Sequence, residues 1–452
     1  MMKPLMNFMF ALVMVFILHH TSSAADTTPG GGAKTVLDYG AKGNALDDDT
    51  AAIQAALDQE SEIVFPAGRY RVKGQLFVRP QAKEDEFDGV RLVGRGNARI
   101  VTEAKNGVVI RVDRRHVTFE HLVFLHRGSN YGGAGSATIQ AGPQAHGLTL
   151  RDCRFYRNYS SFFGPLPEGS DDAIRNAASS LFGSDPNRKL VQDVTITGCL
   201  FSGQNRPLYL NGIENLSISG NRFLECGWDA IRLRALIRKV LITDNHFRHV
   251  GVLAPPGDTA DFIDTHFSGE ELIISGNIME SSSCMGLDLK NSSPKLGRTS
   301  RIIVANNLIR GVRGYGMVVA DMTDQGPSAT SLLIQGNQVS ECGTPGSDSG
   351  VIVLRTGVRN CLVTGNLIYG NRGRGIFLLT PEGSTTGSVS ICQNLVYNNG
   401  RADENNSRYG LVIGPLARNV LVSGNQFYND PDAPNPEQIR GIVVGDPGTQ
   451  DA

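Results

Sequence analysis

An all-β parallel solenoid is the fold this sequence predicts, and three observations predict it. A short motif recurs along most of the chain, a second alternating segment follows each copy, and no helical periodicity lies between them. The motif reads apolar, x, small or polar turn, Asn, x, apolar, as in "ISGNRFLEC", "ITDNHFRHV", "ISGNIMES", "IQGNQVSEC" and "VSGNQFYND". Its asparagines are Asn221, Asn245, Asn277, Asn307, Asn337, Asn366, Asn394 and Asn425, with Cys153 and Cys199 in the same slot earlier, and most intervals run 22 to 32 residues. The second segments read "DAIRLR", "GLDLK", "GMVVA", "GVIVL", "GIFLL", "GLVIG" and "GIVVG". Both segments alternate with period two, so each has an inner and an outer face, and coils should stack about 4.8 Å apart. Inner Leu, Ile, Val and Phe then form columns of like side chains, and the turn asparagines form a ladder between coils.

Taken in order, the elements begin with a removable leader. Lys3 precedes an unbroken apolar run of 11 residues, Phe8–Leu18, and "HHTSSAAD" offers small residues for cleavage after Ala24 or Ala25. Eleven apolar residues are too few to span a bilayer, so residues 1–24 are expected to be a signal peptide and the product secreted or periplasmic. Residues 25–34, "ADTTPGGGAK", read as a flexible linker, and 35–452 as a single domain. Residues 35–75 should cap the solenoid. Asp49 or Thr50 N-caps a short helix over Ala51–Leu57, with acidic residues at its positive end, before "IVF", a "PAG" turn and "YRV" begin the sheet.

The charge balance, 43 Lys and Arg against 44 Asp and Glu, argues against a nucleic-acid partner. No later stretch could cross a membrane, and a monomer is expected. The seven cysteines show no C-x-x-C spacing, so all are read as small buried hydrophobes.

The entry segment over residues 36–72, with the repeat over about 100–445, resembles the pectate-lyase-like superfamily of right-handed parallel β-helix proteins. That superfamily includes polygalacturonases, pectate and alginate lyases, mannuronan C5-epimerases and phage tailspikes. The resemblance implies a single-stranded right-handed parallel β-helix, and leaves the activity to be read from the site.

Counting from each asparagine aligns the second strands. Outer positions become Tyr209/Asn211, Arg232/Arg234, Asp264/His266 and Asp288/Lys290, then Val318/Ala320. In "DFIDTHF" the register is chosen by turning Ile263, Thr265 and Phe267 inward, because a one-residue slip would bury Asp264 and His266 instead. The stripe should cover about 10 Å by 7 Å, roughly two sugar rings. Insertions at 156–190, 251–261 and 291–300 are placed to wall a groove over it. The plainer reading of the stripe is a solvated ladder of ion pairs.

Uronic-acid polymers suit such a stripe. Removing the proton beside a uronate carboxylate requires neutralising its charge, a task for Arg232, Arg234 and Lys290. His266 is the candidate base, Asp264 or Asp288 orients it, and Tyr209 supplies a proton to the other ring face or the leaving oxygen. Asn211 and Asp288 complete the substrate-binding set. The outcome would be β-elimination or C5 epimerisation. Asp264-Thr-His266 resembles the Asp-Pro-His of mannuronan C5-epimerases, whose aspartate and histidine lie in the catalytic groove, with Thr265 in place of the proline. Two other classes stay open. A glycoside hydrolase would pair Asp264 with Asp288 or Asp261, and a glycan-binding adhesin would use Tyr209 with Phe162 and Phe163. No metal is expected, although Asp258, Asp261 and Asp264 supply oxygen ligands suited to calcium, at a spacing that matches no familiar loop site.

Overall fold

The computed structural model describes residues 34–79, 89–102, 108–126, 137–157, 172–176, 190–254, 260–291, 299–321, 329–343, 350–355, 357–380, 386–400, 408–430, 438 and 440–445. Lys34–Ala452 forms one compact unit. The expected leader and linker, apart from Lys34, fall outside the described residues.

Strands stack in parallel in three columns. The first column holds the strands that follow each turn asparagine and forms a 14-stranded sheet, from Asn44–Asp48 to Gln426–Tyr428. The second column includes Leu287–Asn291 and Met317–Asp321, and the third includes Thr299–Ala305 and Ala329–Gln335. These two columns join into one 23-stranded sheet because three strands run unbroken through both: Arg206–Ser219, Ile231–Thr243 and Ile263–Ser275.

The motif has a conformational reason. The residue before each asparagine takes positive φ: Gly220 at 64°, Asp244 at 57°, Gly276 at 68°, Asn306 at 55° and Gly336 at 63°. That region favours Gly, Asn and Asp, which is why the turn reads Gly-Asn or Asp-Asn. A Cβ on Gly276 would also lie 2.6 Å from Asp244 Oδ1. Each buried asparagine then bonds the next coil. Asn277 Nδ2 donates to Asn307 Oδ1 at 2.9 Å, and Asn307 Nδ2 to Asn337 Oδ1 at 2.9 Å, with backbone N–H groups donating to the same oxygens.

Inside, Phe124, Phe155, Phe201, Phe223 and Phe247 stack with centroids 4.7–4.9 Å apart, the coil repeat itself. Ile196, Ile218, Ile242, Ile274, Val304 and Ile334 line the third column, all buried.

Several expectations change here. The helix runs Thr50–Gln59, longer than Ala51–Leu57, and follows a short 3-10 turn over Val36–Tyr39. Asp49 occupies the N-cap position but does not cap. It is buried, and its carboxylate accepts from the backbone N–H of Lys42 at 2.6 Å and of Arg71 at 3.1 Å, tying the lid to the first coil. Asp48 instead accepts from Thr50 N–H at 3.1 Å. The 156–190 insertion contains a rung, Asp172–Asn176, paired to Ala137–Ala141 and to Arg206–Ser219. All seven cysteines are free thiols, but only five are buried; Cys284 and Cys392 are half-buried.

Candidate active site

The second column places the charged residues in register. Tyr209 pairs with Arg232, Arg232 with Asp264, Asp264 with Asp288, and Asp288 with Val318. Two residues on, Asn211 pairs with Arg234, Arg234 with His266, and His266 with Lys290. Beyond Val318 the column turns apolar, through Val353, Phe377 and Val412. Ile263 and Thr265 are buried as inner residues, and the Thr265 hydroxyl fixes the register by accepting from Lys290 N–H at 3.0 Å and donating to Asp288 O at 3.2 Å. His266 is described by its backbone alone. Its side chain, Phe162, Phe163 and Asp258 lie outside the described residues, as does most of the three insertions.

The stripe is not a solvated ladder. Asp264 is 3% exposed, Asp288 0% and Asn211 4%, so the ion pairs are enclosed rather than surface pairs. Charge taken out of water persists only where it is paired. Arg232 bridges two carboxylates, with Nη1 2.8 Å from Asp229 Oδ2 and Nε 3.1 Å from Asp264 Oδ2. Lys290 Nζ contacts Asp288 Oδ2. Two of the three cations expected to meet substrate are therefore already engaged by carboxylates. Arg234 differs. It is half-buried and makes no hydrogen bond or ion pair among the described residues.

Two members had not been singled out. Asp229, wholly buried, accepts from Asp261 N–H at 3.1 Å through Oδ1, and Arg206 Nε lies 3.4 Å from its other oxygen. Both precede their outer rung residue by three positions, as Asp261 precedes Asp264. That shared offset was the signal. Asp261 is also fully enclosed. Its Oδ1 accepts from Met285 N–H at 3.0 Å, while Oδ2 has no hydrogen-bond partner. The oxygen set brought together is thus Asp229, Asp261 and Asp264, with Asp229 from the preceding coil joining Asp261 and Asp264.

Electrostatics follow the burial. Desolvation, then repulsion from Asp229, Asp288 and Asp264, pushes the Asp261 carboxyl well above the usual carboxylate range. Asp229 is raised by burial and Asp264, against the pull of Arg232 and Arg206. For Lys290, burial opposes the charge but Asp288, Asp264 and Asp261 outweigh it, so its pKa rises. Arg234 is lowered, by burial and by its neighbour Arg232.

The same three unbroken strands carry a cavity of about 520 Å³ on the third column, lined by Thr195, Ser217, Lys239, Leu241, Glu271 and Ile273 among others. No loop separates it from the charged rungs at those coils. Among the described residues no helix is long and apolar enough to cross a membrane.

A three-column parallel coil with a helical lid is a parallel β-helix. Comparison with known families gives the same class. Residues 34–142 match the rhamnogalacturonase A/epimerase, pectate lyase-like model, and 268–385 and 296–448 match the right handed beta helix region. No curated protein sequence matches significantly. Among solved structures, the A-module of the mannuronan C-5 epimerase AlgE6 from Azotobacter vinelandii is 16% identical with a TM-score of 0.55, over 92% of this chain and 99% of that one. The Streptococcus pneumoniae surface adhesin PfbA is 16% identical with a TM-score of 0.53, over 78% and 93%. DFA-IIIase from Arthrobacter chlorophenolicus A6 is 15% identical with a TM-score of 0.50, over 91% of each chain. At these identities the likeness is one of fold.

Proposed function

We propose that the protein is an exported carbohydrate-active enzyme that abstracts the C5 proton of a uronate residue in an acidic polysaccharide, as a lyase or a C5-epimerase. The observation that carries this reading is Arg234, a half-buried guanidinium with no partner among the described residues, beside an enclosed carboxylate network. An arginine so placed is prepared for an anion from outside, and its fork matches a carboxylate. Arg232 and Lys290 take a different role from the one expected of them. They hold Asp264 and Asp288, so that neutralising the substrate falls to Arg234.

His266, whose backbone stands in register between Arg234 and Lys290, remains the assigned base, with Asp264 on its own strand as the orienting carboxylate. Half-buried Tyr209, two coils before Asp264, is the proton donor. In elimination the C5 proton passes to the base, the C4–O bond breaks, and the leaving oxygen gains a proton. In epimerisation the proton returns to the opposite face of C5. The AlgE6 module, by its name a mannuronan C-5 epimerase, shares the fold over its whole length and supports this class.

The test is incubation with alginate, pectate and glycosaminoglycans. Ultraviolet absorbance of unsaturated ends marks a lyase, and solvent exchange at C5 seen by NMR marks an epimerase. His266→Ala should abolish either. New reducing ends without unsaturation would replace this reading with hydrolysis, and retained binding without turnover would replace it with a glycan-binding adhesin.

A further inference from the structure

One carboxylate of the enclosed network lacks a cation. Asp229 pairs with Arg206 and Arg232, Asp264 with Arg232, and Asp288 with Lys290. Asp261 has no ion-pair partner among the described residues, although it is 0% exposed. One of its oxygens is occupied by the Met285 N–H, but Oδ2 is enclosed with no hydrogen bond. An enclosed carboxylate oxygen without a donor is rare in native proteins and asks for an occupant.

The surroundings of Asp261 indicate which occupant fits. Asp229, Asp261 and Asp264 each offer a carboxylate oxygen, and these lie within 4.8 Å of one another. Calcium binds oxygens at about 2.3–2.6 Å, so ligands on opposite sides of one ion stand up to about 5 Å apart. All three oxygens therefore fit around a single ion. No Cys or His belongs to the cluster, so the donor set is hard oxygen only, which suits calcium-class ions over zinc or copper. Asp229 and Asp261 are also held before any ion arrives, through Asp261 N–H to Asp229 and Met285 N–H to Asp261.

We propose that Asp229, Asp261 and Asp264 hold one divalent cation of the calcium class, enclosed between the first and second columns. Asp229 and Asp261 are 0% exposed, so the ion is out of reach of a polymer lying on the outer face. Its role is to balance the carboxylate that Arg232 does not reach and to lock the rungs at Ile231 and Ile263 together. The inference shares Asp264 with the reaction proposed above, but it rests on the enclosed oxygen of Asp261 and not on that reaction.

Trp228, the one tryptophan of the chain, directly precedes Asp229 and makes the test local. Full-length mature protein, stripped with chelator, would be titrated with terbium while exciting tryptophan. The expected result is saturable sensitised emission at one ion per chain, displaced by calcium, and a calcium-dependent rise of several degrees in Tm. Asp261→Asn should remove both effects and yet unfold no lower than the cation-free wild type, because the isosteric amide carries no charge to balance. Should that variant fail to fold, Trp228→Phe must lose the emission while keeping the calcium shift. Absence of any calcium effect, with Asp261→Asn raising Tm, would identify a proton as the occupant and overturn the proposal. So would a calcium shift that survives in Asp261→Asn.

Discussion

Replacing Arg234 by glutamine separates a functional arginine from a structural one. In the folded protein this side chain is half-buried, makes no hydrogen bond or ion pair among the described residues, and has its pKa lowered by burial and by Arg232. Charge that is partly desolvated and uncompensated destabilises its own fold, by about 1 kcal/mol at the lower end of values for poorly satisfied polar groups. Arg234→Gln should therefore leave stability unchanged or raise it by about 1 kcal/mol. Activity should move the other way. A charge-assisted hydrogen bond to a substrate carboxylate is worth about 1.5–3 kcal/mol, which converts to a loss of roughly 10- to 150-fold in kcat/KM. Arg234→Lys keeps a point charge without the fork and should fall between. Thermal unfolding and initial rates on the uronate polymer, measured on the same samples, give both quantities. A variant destabilised by more than about 2 kcal/mol, or one retaining most of its kcat/KM, would refute the reasoning.

The asparagine ladder should respond to position. Asn307→Ala deletes four hydrogen bonds, among them the side-chain acceptor of the buried Asn277 N–H, and should cost about 3–5 kcal/mol. Asn425→Ala, at the half-buried end where water can replace the amide, should cost about 1 kcal/mol, and equal midpoints in urea for the two variants would contradict this. Glu120 gives an acid-side signature. Burial raises its pKa, but Arg91, with Nη2 2.6 Å away, Arg151 and His121 outweigh it and hold the carboxyl below the usual range. Its stabilising contribution is therefore present above the ordinary carboxylate pKa and lost as pH falls through the native value. Glu120→Gln should flatten that part of the stability curve and leave the slope near neutrality unchanged. The thiols supply a check on packing. Burial pushes Cys342 up to about 12 and Cys284 up to about 11, so native protein should take up alkylating reagent at no more than the two half-buried cysteines, and unfolded protein at all seven. Reducing agent should leave Tm unaltered.

The register was legible because two local rules fix it. Positive φ before each asparagine marks where a coil turns, and period-two alternation fixes which residues face out. Counting from Asn221 and Asn277 therefore reaches the same Tyr209, Arg232, Asp264 and Asp288 ladder that the strands form. Enclosure was not legible, because whether Asp264 and Asp288 meet water depends on side chains that the coil brings against them, such as Arg232 and Lys290, and alternation along one strand does not report these. Asp229 was missed for a related reason. It stands at the turn into the second column, three residues before Arg232, where alternation no longer reports the direction of a side chain. The helix start misled in a simpler way. Asp49 has the residue type of an N-cap, but the backbone donors of Lys42 and Arg71 compete for its carboxylate and win.

Three of the four charged rungs, those of Tyr209, Arg232 and Asp264, lie on the three unbroken strands, and the fourth, Asp288/Lys290, lies beside them on Leu287–Asn291. Elsewhere the second and third columns are built from separate strands, as in Leu287–Asn291 with Thr299–Ala305 and Met317–Asp321 with Ala329–Gln335. At Arg206–Ser219, Ile231–Thr243 and Ile263–Ser275 the backbone passes straight through, hydrogen-bonded to a neighbouring coil along almost its whole length. Enclosed ion pairs tolerate little positional error, since a carboxylate displaced from its guanidinium keeps the desolvation cost and loses the attraction. Continuous pairing supplies that rigidity. It also carries the backbone from the Arg234 rung to the cavity lined by Ser217, Leu241 and Ile273 without a turn. Stiff backbone under these charges and its direct run to the cavity have one cause, the missing turn at these three coils.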